Sequence, residues 1–584
     1  MRQVTLLNLG RHFPHNRDDW PLLCARIEQL IGGVADLLPI ECPVELERVA
    51  QRIVGQLVKR APVTEAVDDS KEQQPVLPPA TESPAYDSVD IDSLTLNLPR
   101  TVGIEHVALH AMKQLDFPNK LSELGINGTQ CSAIIGNIIG RMAQPASELA
   151  TWHWLQDQSA LGELLDVDFE ALSHMSLYRG SDALMRKRDE IETHIFGAVK
   201  DLFGLDQTIT LYDLTNTYFE GSAENNEKAQ YGRSKEKRKD CPLVTLGLVL
   251  DGSGFVHRSQ TFAGNTSEFA TLEQMLTGLK AQVGALVVMD AGIASQANID
   301  WLIEQGYRYL VVKRGGKREF DHTQAQVIKN AAGGDIQIYK TINESGSEVE
   351  LHCHSQAREA KERAMLDSAM QRFEASLQTM SDNLAKPRCE KSLIKLQERL
   401  GRLKQKSAGA SQHYQVELIT DEAGKKVTTI RWEKQLVEGS RATDPGVYCL
   451  RTNELSWDAE TLWRTYVMLT DLESVFRSLK SELGLRPVFH STENRVDGHR
   501  FITVLAYQFV QVIRTQLKQA GIQGSWTQIR KILGVQQRVT SSLTREKGGS
   551  IHIRKATTAE PELKEIYQAL GIHAAPGGIK KMVS

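Results

Sequence analysis

The sequence predicts an α/β layer protein with an all-helical region before the sheet and a β-rich insertion within it. Three observations carry that prediction. Apolar residues recur at three- and four-residue spacing between residues 93 and 205. The period then changes to β-branched and aromatic runs that alternate with helices. A stretch of hairpins and paired helices interrupts the alternation over residues 318–444. With 584 residues the chain can bury large cores and divide into roughly three or four domains.

Composition excludes some classes and leaves others open. At 41% hydrophobic and 24% charged, the chain fits neither a membrane protein nor a fully disordered one. "MRQVTLLNLGRHF" lacks the apolar run of a signal peptide, and no stretch of about 18 apolar residues occurs. The seven cysteines are odd in number, scattered and never spaced as CxxC, which suits a reducing cytoplasm. The net charge of −4 is unevenly placed: Pro62 to Asp92 carries eight acids against Lys71, a local −7 that leaves +3 for the rest. With five of the eighteen prolines, this stretch reads as a flexible acidic linker. Overall charge therefore decides nothing about partners, and local basic patches must.

Each element follows from its pattern. Residues 1–61 read as a small helical unit around "LLCARIEQLIGGVADLL". Residues 93–205 read as all helical, through "GIEHVALHAMKQL", "GTQCSAIIGNIIGRMA" and "SDALMRKRDEIETHIFGAVKDLF". Such a region suits either DNA binding or scaffolding, and no helix-turn-helix can be placed by residue. Residues 206–317 open with the strands "TITLYDLTNTYF", "LVTLGLVL" and "FVHRSQTF", the last two joined by the turn signal "DGSG". A helix capped by Thr266 or Ser267 follows, with Glu268 in its first turn. "ALVVMD" reads as a buried strand, "SQANIDWLIEQG" as helix and "RYLVVK" as strand. This order resembles the ribonuclease H fold, a mixed five-stranded sheet with flanking helices.

The insertion at 318–444 holds two hairpins with turns at "NESG" and "DEAG". Between them, Leu366, Met370, Phe373, Leu377, Met380 and Leu384 fall at near-heptad spacing. Pro387 breaks the run, and Leu393, Leu396, Leu400 and Leu403 resume it. Residues 445–520 return to strand at "VYCLRTN" and to a helix capped by Ser456; residues 521–584 form a C-terminal region.

Three carboxylates stand out. Asp213 lies among Leu211, Tyr212 and Leu214 on a strand, where an unpaired acid is costly. Asp290 ends the apolar run "ALVVMD", and carboxyl ends of strands are where open α/β sheets keep their sites. In a ribonuclease H-like order the first and fourth strands are neighbours, so the two acids lie side by side. Adjacent carboxylates repel unless a cation sits between them, and an all-oxygen site suits Mg²⁺ or Mn²⁺. On the later helix Tyr466, Glu473 and Lys480 are spaced by seven and line one face, joined by Arg477; Glu482 lies off that stripe. Val475, Phe476 and Leu479 interleave and predict a helix half-buried against the sheet.

These residues resemble the DDE transposases of bacterial insertion sequences, in the branch with a Tyr-Arg-Glu-Lys signature on the third-acid helix. The likeness rests on Tyr466, Glu473 and Lys480, on "YDLTNTYFEG", "FAGNTSE" and "VVMDAGIASQANIDWLIEQGYRYLV", and on the β-rich insertion. It covers about residues 93–540. One position departs: where the signature has Arg, this chain has Leu469, so Arg477 or Lys480 is expected to make that phosphate contact. The resemblance implies that Asp213, Asp290 and Glu473 hold two Mg²⁺ ions (Mn²⁺ can substitute) for in-line phosphodiester displacement. It implies cutting of element ends and joining to target DNA by a homodimer in the bacterial cytoplasm. A nuclease or resolvase of the same fold and a DNA-binding protein without catalysis are the alternatives.

Basic residues beside these acids complete the expected DNA contacts. They are Arg233, Lys235, Lys237 and Arg238 in "YGRSKEKRKD", Lys313 and Arg314 in "KRGGKR", and Arg486 and His490 past the helix, with Tyr466, Arg477 and Lys480 on it. "LHCH" is not expected to bind zinc. Strand alternation puts His352 and His354 on one face and Cys353 on the other, with no second ligand pair nearby in sequence.

Overall fold

A computed structural model describes residues 16–32, 42–60, 86–205, 209–232, 238, 240–277, 279, 284–328, 334–488 and 490–583. Most of the acidic stretch, and Arg233, Lys235 and Lys237, lie outside the described residues. Two helices, α1 (Trp20–Gly32) and α2 (Val44–Arg60), pack on each other through Leu23, Val49, Ala50 and Ile53.

The chain then departs from the expected helical start. Residues 89–101 form a strand, β1 (Val89–Thr101), paired antiparallel with β13 (Gln537–Arg545). β14 (Ser550–Ala556) and β15 (Lys580–Val583) complete a four-stranded sheet in the order β1-β13-β14-β15. The period-two alternation of Leu94, Leu96 and Leu98 is the local cause, and its partner lies at the other end of the chain.

Seven helices follow as expected: α3 (Gly103–Gln114), α4 (Phe117–Glu123), α5 (Gly128–Ala143), α6 (Glu148–Asp157), α7 (Leu161–Leu165), α8 (His174–Arg186) and α9 (Arg188–Phe203). Asn127 and Gln130 form a capping box that starts α5. Gly140 lets α5 approach α6, since a Cβ there would sit 2.4 Å from Thr151 Cγ2.

The main sheet is built on β2 (Ile209–Tyr218), the hairpin β3 (Leu243–Asp251) and β4 (Val256–Ala263), β5 (Leu286–Met289) and β6 (Arg308–Val312). Between β4 and β5 lies the short helix α10 (Leu272–Thr277), and between β5 and β6 lies α11 (Gln296–Glu304). α10 starts later than the sequence pattern suggests, because Glu268–Ala270 forms a separate 3₁₀ turn, at whose start the Ser267 side chain makes no capping hydrogen bond. β2 pairs parallel with β5 and β5 parallel with β6, giving the order β4-β3-β2-β5-β6.

The sheet does not stop at five strands. β12 (Val447–Thr452) pairs antiparallel with β6, and β9 (Val349–Ser355), β8 (Ile336–Ile342) and β7 (Gln326–Ile328) extend it to nine. The first insertion hairpin therefore belongs to the main sheet, because β12 offers an unpaired edge that β9 covers. The rest of the insertion has its own core. In it α12 (Gln356–Leu384) packs Met370, Phe373, Leu377, Met380 and Leu384 against Leu396 and Leu400 of α13 (Leu393–Lys406). Val427 and Ile430, from the hairpin β10 (Tyr414–Thr420) and β11 (Val427–Lys434), close it.

After β12, Asp458 rather than Ser456 caps α14 (Ala459–Arg477); the backbone N–H and hydroxyl of Ser456 instead donate to the Glu454 carboxylate. A wider π-type turn, Ser478–Glu482, ends this helix. The long helix α15 (Glu493–Gln519) is buried along most of its length and joins the sheet to the helical region. α16 (Trp526–Leu533) and α17 (Pro561–Leu570) finish the chain with the C-terminal strands. No helix among the described residues is long and apolar enough to cross a membrane.

The insertion core is small, so it is sensitive to a single cavity. Leu377→Ala is expected to cost about 2–5 kcal/mol locally, seen as earlier proteolysis within residues 356–434 while the main sheet stays protected.

Candidate active site

The parallel ladder between β2 and β5 fixes the first two acids. Tyr212 pairs with Met289, so Asp213 and Asp290 are the next step along both strands. Tyr212, Leu214 and Met289 point into one hydrophobic layer, whereas Leu211 and Val288 point into the other. Asp213 therefore shares the face of Leu211, on which Val475, Phe476 and Leu479 also pack. Asp213 accepts a hydrogen bond from the N–H of Leu214 at 2.7 Å, and Asp290 from that of Ala291 at 2.7 Å. Asp213 is half-buried and Asp290 exposed.

α14 crosses this face of β2 and β5. Its apolar side, with Val475 and Phe476, is buried as the interleaved pattern predicts. Its other side opens into a cleft lined by Asp213, Thr215, Glu473, Arg477, Lys480 and Arg486. Lys480 reaches the cleft from the π-type turn, not from continued α-helix. Glu482 faces elsewhere, accepting from Ser478 Oγ at 2.5 Å and from the N–H of Thr527 in α16 at 3.2 Å. Tyr466 lies one end along, beside Asp290. Burial first, and the Asp290 carboxylate second, push its phenol up to about 12. It therefore stays protonated and able to donate. Leu469 packs against the main core.

Asp213 and Glu473 line one cleft and the register sets Asp290 beside Asp213, but Asp290 is not among the cleft's lining residues and the three do not form a three-ligand cluster. Among the described residues, the groups of three ligand atoms within 4.8 Å of one another are Glu148–His490–His499 and Glu350–His352–Cys449.

Glu268 was read from sequence only as a helix-start residue, and it proves to stand beside Asp290. A Cβ on Gly292 would lie 2.5 Å from Glu268 Oε2, and 3.6 Å from both Asp290 Oδ2 and Arg314 Nη2. The turn carrying Glu268 is tied to β2 and, through α11, to the loop after Asp290. Tyr212 donates to Thr271 Oγ1 at 2.6 Å, which donates to the Glu268 carbonyl at 2.7 Å. Asn298 Nδ2 donates to the carbonyls of Phe269 and Ile293, at 2.9 and 2.7 Å. The signal in the sequence was the stretch "GNTSE", whose acid had no strand to anchor it.

The other predicted contacts divide. Arg314 stands by Asp290, and Arg486 lines the cleft. Lys313 is turned to Glu350, with Nζ 2.6 Å from Oε1. Arg238 chelates Asp240 at 2.6 and 2.7 Å and lies 4.7 Å over the Tyr218 ring, so its charge is already matched. His490 is directed inward. Its Nε2 lies 2.6 Å from the buried Glu148 of α6, a partner 342 residues away in sequence. A buried carboxylate demands such partners, and His499 and Arg141 complete the network.

The strand order, with Asp213 within β2 just past its pairing to β5 and Asp290 just past the end of β5, defines a ribonuclease H-like α/β protein. A family model described as the transposase DDE domain matches residues 204–509, more than half of the chain, so the chain belongs to that family and is a DNA transposase. Among solved structures, a piggyBac transposase synaptic complex with hairpin DNA is similar at 8% identity. That likeness covers 77% of this chain and 82% of the other at a TM-score of 0.31, too loose to carry further weight. No curated protein matches the chain by sequence.

The Glu148 network makes stability depend on pH. Burial first, and Arg141 second, push His499 down to about 4. An unfolded histidine titrates near 6.5, so between about 6.5 and 4 the unfolded chain binds the extra proton and stability falls as pH falls. The carboxyl of Glu148 is held well below its usual range by His490 and His499 against the opposing effect of burial, and its contribution is lost only at still lower pH. His499→Gln is expected to remove on the order of 2–3 kcal/mol of the fall between pH 6.5 and 4.5. Unfolding temperatures of both proteins across that range give the difference in slope.

Proposed function

We propose that Asp213, Asp290 and Glu473 are the catalytic carboxylates of this transposase, and that it cuts the ends of its element and joins them to target DNA. The observation that carries this reading is the β2–β5 register, which sets Asp213 beside Asp290 while Glu473 lines the cleft that Asp213 opens into. The donor set is all oxygen and solvent-accessible, which fits hard divalent cations such as Mg²⁺ or Mn²⁺ better than soft ones. Two such ions, when bound, supply activation of an attacking water or 3′-hydroxyl and stabilisation of the leaving oxygen.

The chain's own groups do the rest. Arg314, Arg477, Lys480 and Arg486 set positive charge around the acids, which offsets the repulsion between substrate phosphates and a carboxylate cluster. The protonated Tyr466 phenol donates to a phosphate oxygen of the strand being cut. Arg477 or Lys480 takes the phosphate contact that Leu469, packed in the core, cannot make. The finer assignment, a bacterial insertion-sequence enzyme of the Tyr-Arg-Glu-Lys branch acting as a homodimer in the cytoplasm, rests on the motifs around these residues. The helical region and the basic stretch from Arg233 to Lys237 are proposed to grip the flanking DNA.

Two sets of variants test the reading. Asp213→Asn, Asp290→Asn and Glu473→Gln are each expected to lower strand cleavage by at least about a thousandfold, roughly 4 kcal/mol of barrier, while still shifting element-end DNA in a gel. Full cleavage by any one of them contradicts the assignment. Cutting without joining of a supplied 3′-hydroxyl end would favour a nuclease instead. Tyr466→Phe is expected to cost about two- to tenfold, the worth of one neutral hydrogen bond. Lys480→Ala should reduce the salt dependence of DNA binding by about one charge.

A further inference from the structure

The run His352–Cys353–His354 cannot chelate a metal by itself, since Cys353 points to the opposite face and is fully buried. The fold supplies what the local spacing lacks. β9 and β12 pair in a register that sets Cys449 directly opposite His352. Glu350 lies two residues before His352, on the same face of β9. Its Oε2 is 3.9 Å from His352 Nε2 and 3.9 Å from Cys449 Sγ. The three ligand atoms all fall within 4.8 Å of one another. Ligand atoms around tetrahedral zinc, at bond lengths of about 2.0–2.3 Å, stand about 3.3–3.8 Å apart. Closing the site takes only a small side-chain shift.

The surroundings hold these ligands in place. Glu350 Oε1 faces Lys313 Nζ at 2.6 Å, which leaves Oε2 turned toward the imidazole and the thiol. The His352 ring stacks on Tyr339 with centroids 4.5 Å apart; Thr341 Oγ1 lies 3.3 Å from the ligating Nε2, a contact that an ion bound there displaces. A backbone hydrogen bond at Glu319 further restrains the ring. Outer contacts of this sort fix the orientation of metal-binding histidines. All three ligand residues are half-buried, so the site is reachable from solvent.

We propose that Glu350, His352 and Cys449 form a binding site for one borderline divalent metal ion of the zinc class, separate from the carboxylate cleft. A sulfur, nitrogen and oxygen set discriminates against Mg²⁺, so the occupant differs from the ions of the catalytic site. Binding forms a metal–thiolate bond and breaks the Cys449 S–H bond, with the proton released to water. β9 belongs to the insertion and β12 is the strand on which the chain returns to the catalytic core. A metal here cross-links the two through side chains as well as through the ladder.

The test uses full-length protein, freed of metal by dialysis against chelator and titrated with Co²⁺ in buffer containing excess Mg²⁺. One equivalent of Co²⁺ is expected to bind with a near-ultraviolet thiolate-to-cobalt charge-transfer band and to raise the unfolding temperature. The band should vanish in Cys449→Ser and persist in Asp290→Asn. No band, or an undiminished band in Cys449→Ser, overturns the proposal. Should Cys449→Ser fail to fold, His352→Gln replaces it. A loss of Co²⁺ affinity of at least tenfold supports the site, and unchanged affinity overturns it.

Discussion

The parallel pairing of β2 with β5 is the constraint on which the rest of the molecule depends. It puts two carboxylates side by side, one within β2 and one just past the end of β5, where like charges repel unless positive charge is brought between or around them. The register is not free to slip. Tyr212 and Leu214 belong to one hydrophobic layer and Leu211 to the other, so a shift by one residue would drive Asp213 into the apolar layer under α10 and α11. Burial of large side chains on both faces thus fixes the position of an acid that itself contributes nothing to packing.

What surrounds the acids follows from that placement. α14 must be apolar on the side that meets the sheet and polar on the side that lines the cleft, and Val475 and Phe476 against Glu473 and Arg477 divide it so. The Glu268 turn, held by Thr271 and Asn298, braces the loop after Asp290 from the other side. The insertion enters after β6 and leaves by β12, and its first hairpin continues the same sheet. The third acid is therefore carried by a helix that follows directly from a strand of the extended sheet. Farther out, Glu148, His490, His499 and Arg141 join the helical region to α15 and the segment before it.

Much of this was legible in the sequence because it is local. The five core strands, the turns at Gly254, Gly346 and Gly424, the heptad-like run in α12 and the half-buried face of α14 are each written within a few residues. What escaped depends on partners far along the chain. The pattern of β1 reads as the end of an acidic linker and the start of a helical region because its partner, β13, lies some 440 residues on. The sheet was read as five strands because nothing in "VELHCHS" says that it pairs with "VYCLRT". His490 was taken for a DNA contact because Glu148 is remote in sequence. Ser456 lost the cap to Asp458 because Glu454 claims its hydroxyl. Glu268 passed as a helix-start residue for the same reason: only the folded sheet brings it to Asp290.

The central claim is that residues from three separate stretches, around positions 213, 290 and 473, approach one divalent-cation site. Ferrous iron bound in place of Mg²⁺ generates hydroxyl radicals that cut the polypeptide within reach of the ion, so the cut positions map what lies around it. The account predicts cuts close to all three positions in the same protein, suppressed together by excess Mg²⁺. Cuts near one position alone, or cuts that Mg²⁺ leaves unchanged, would contradict it.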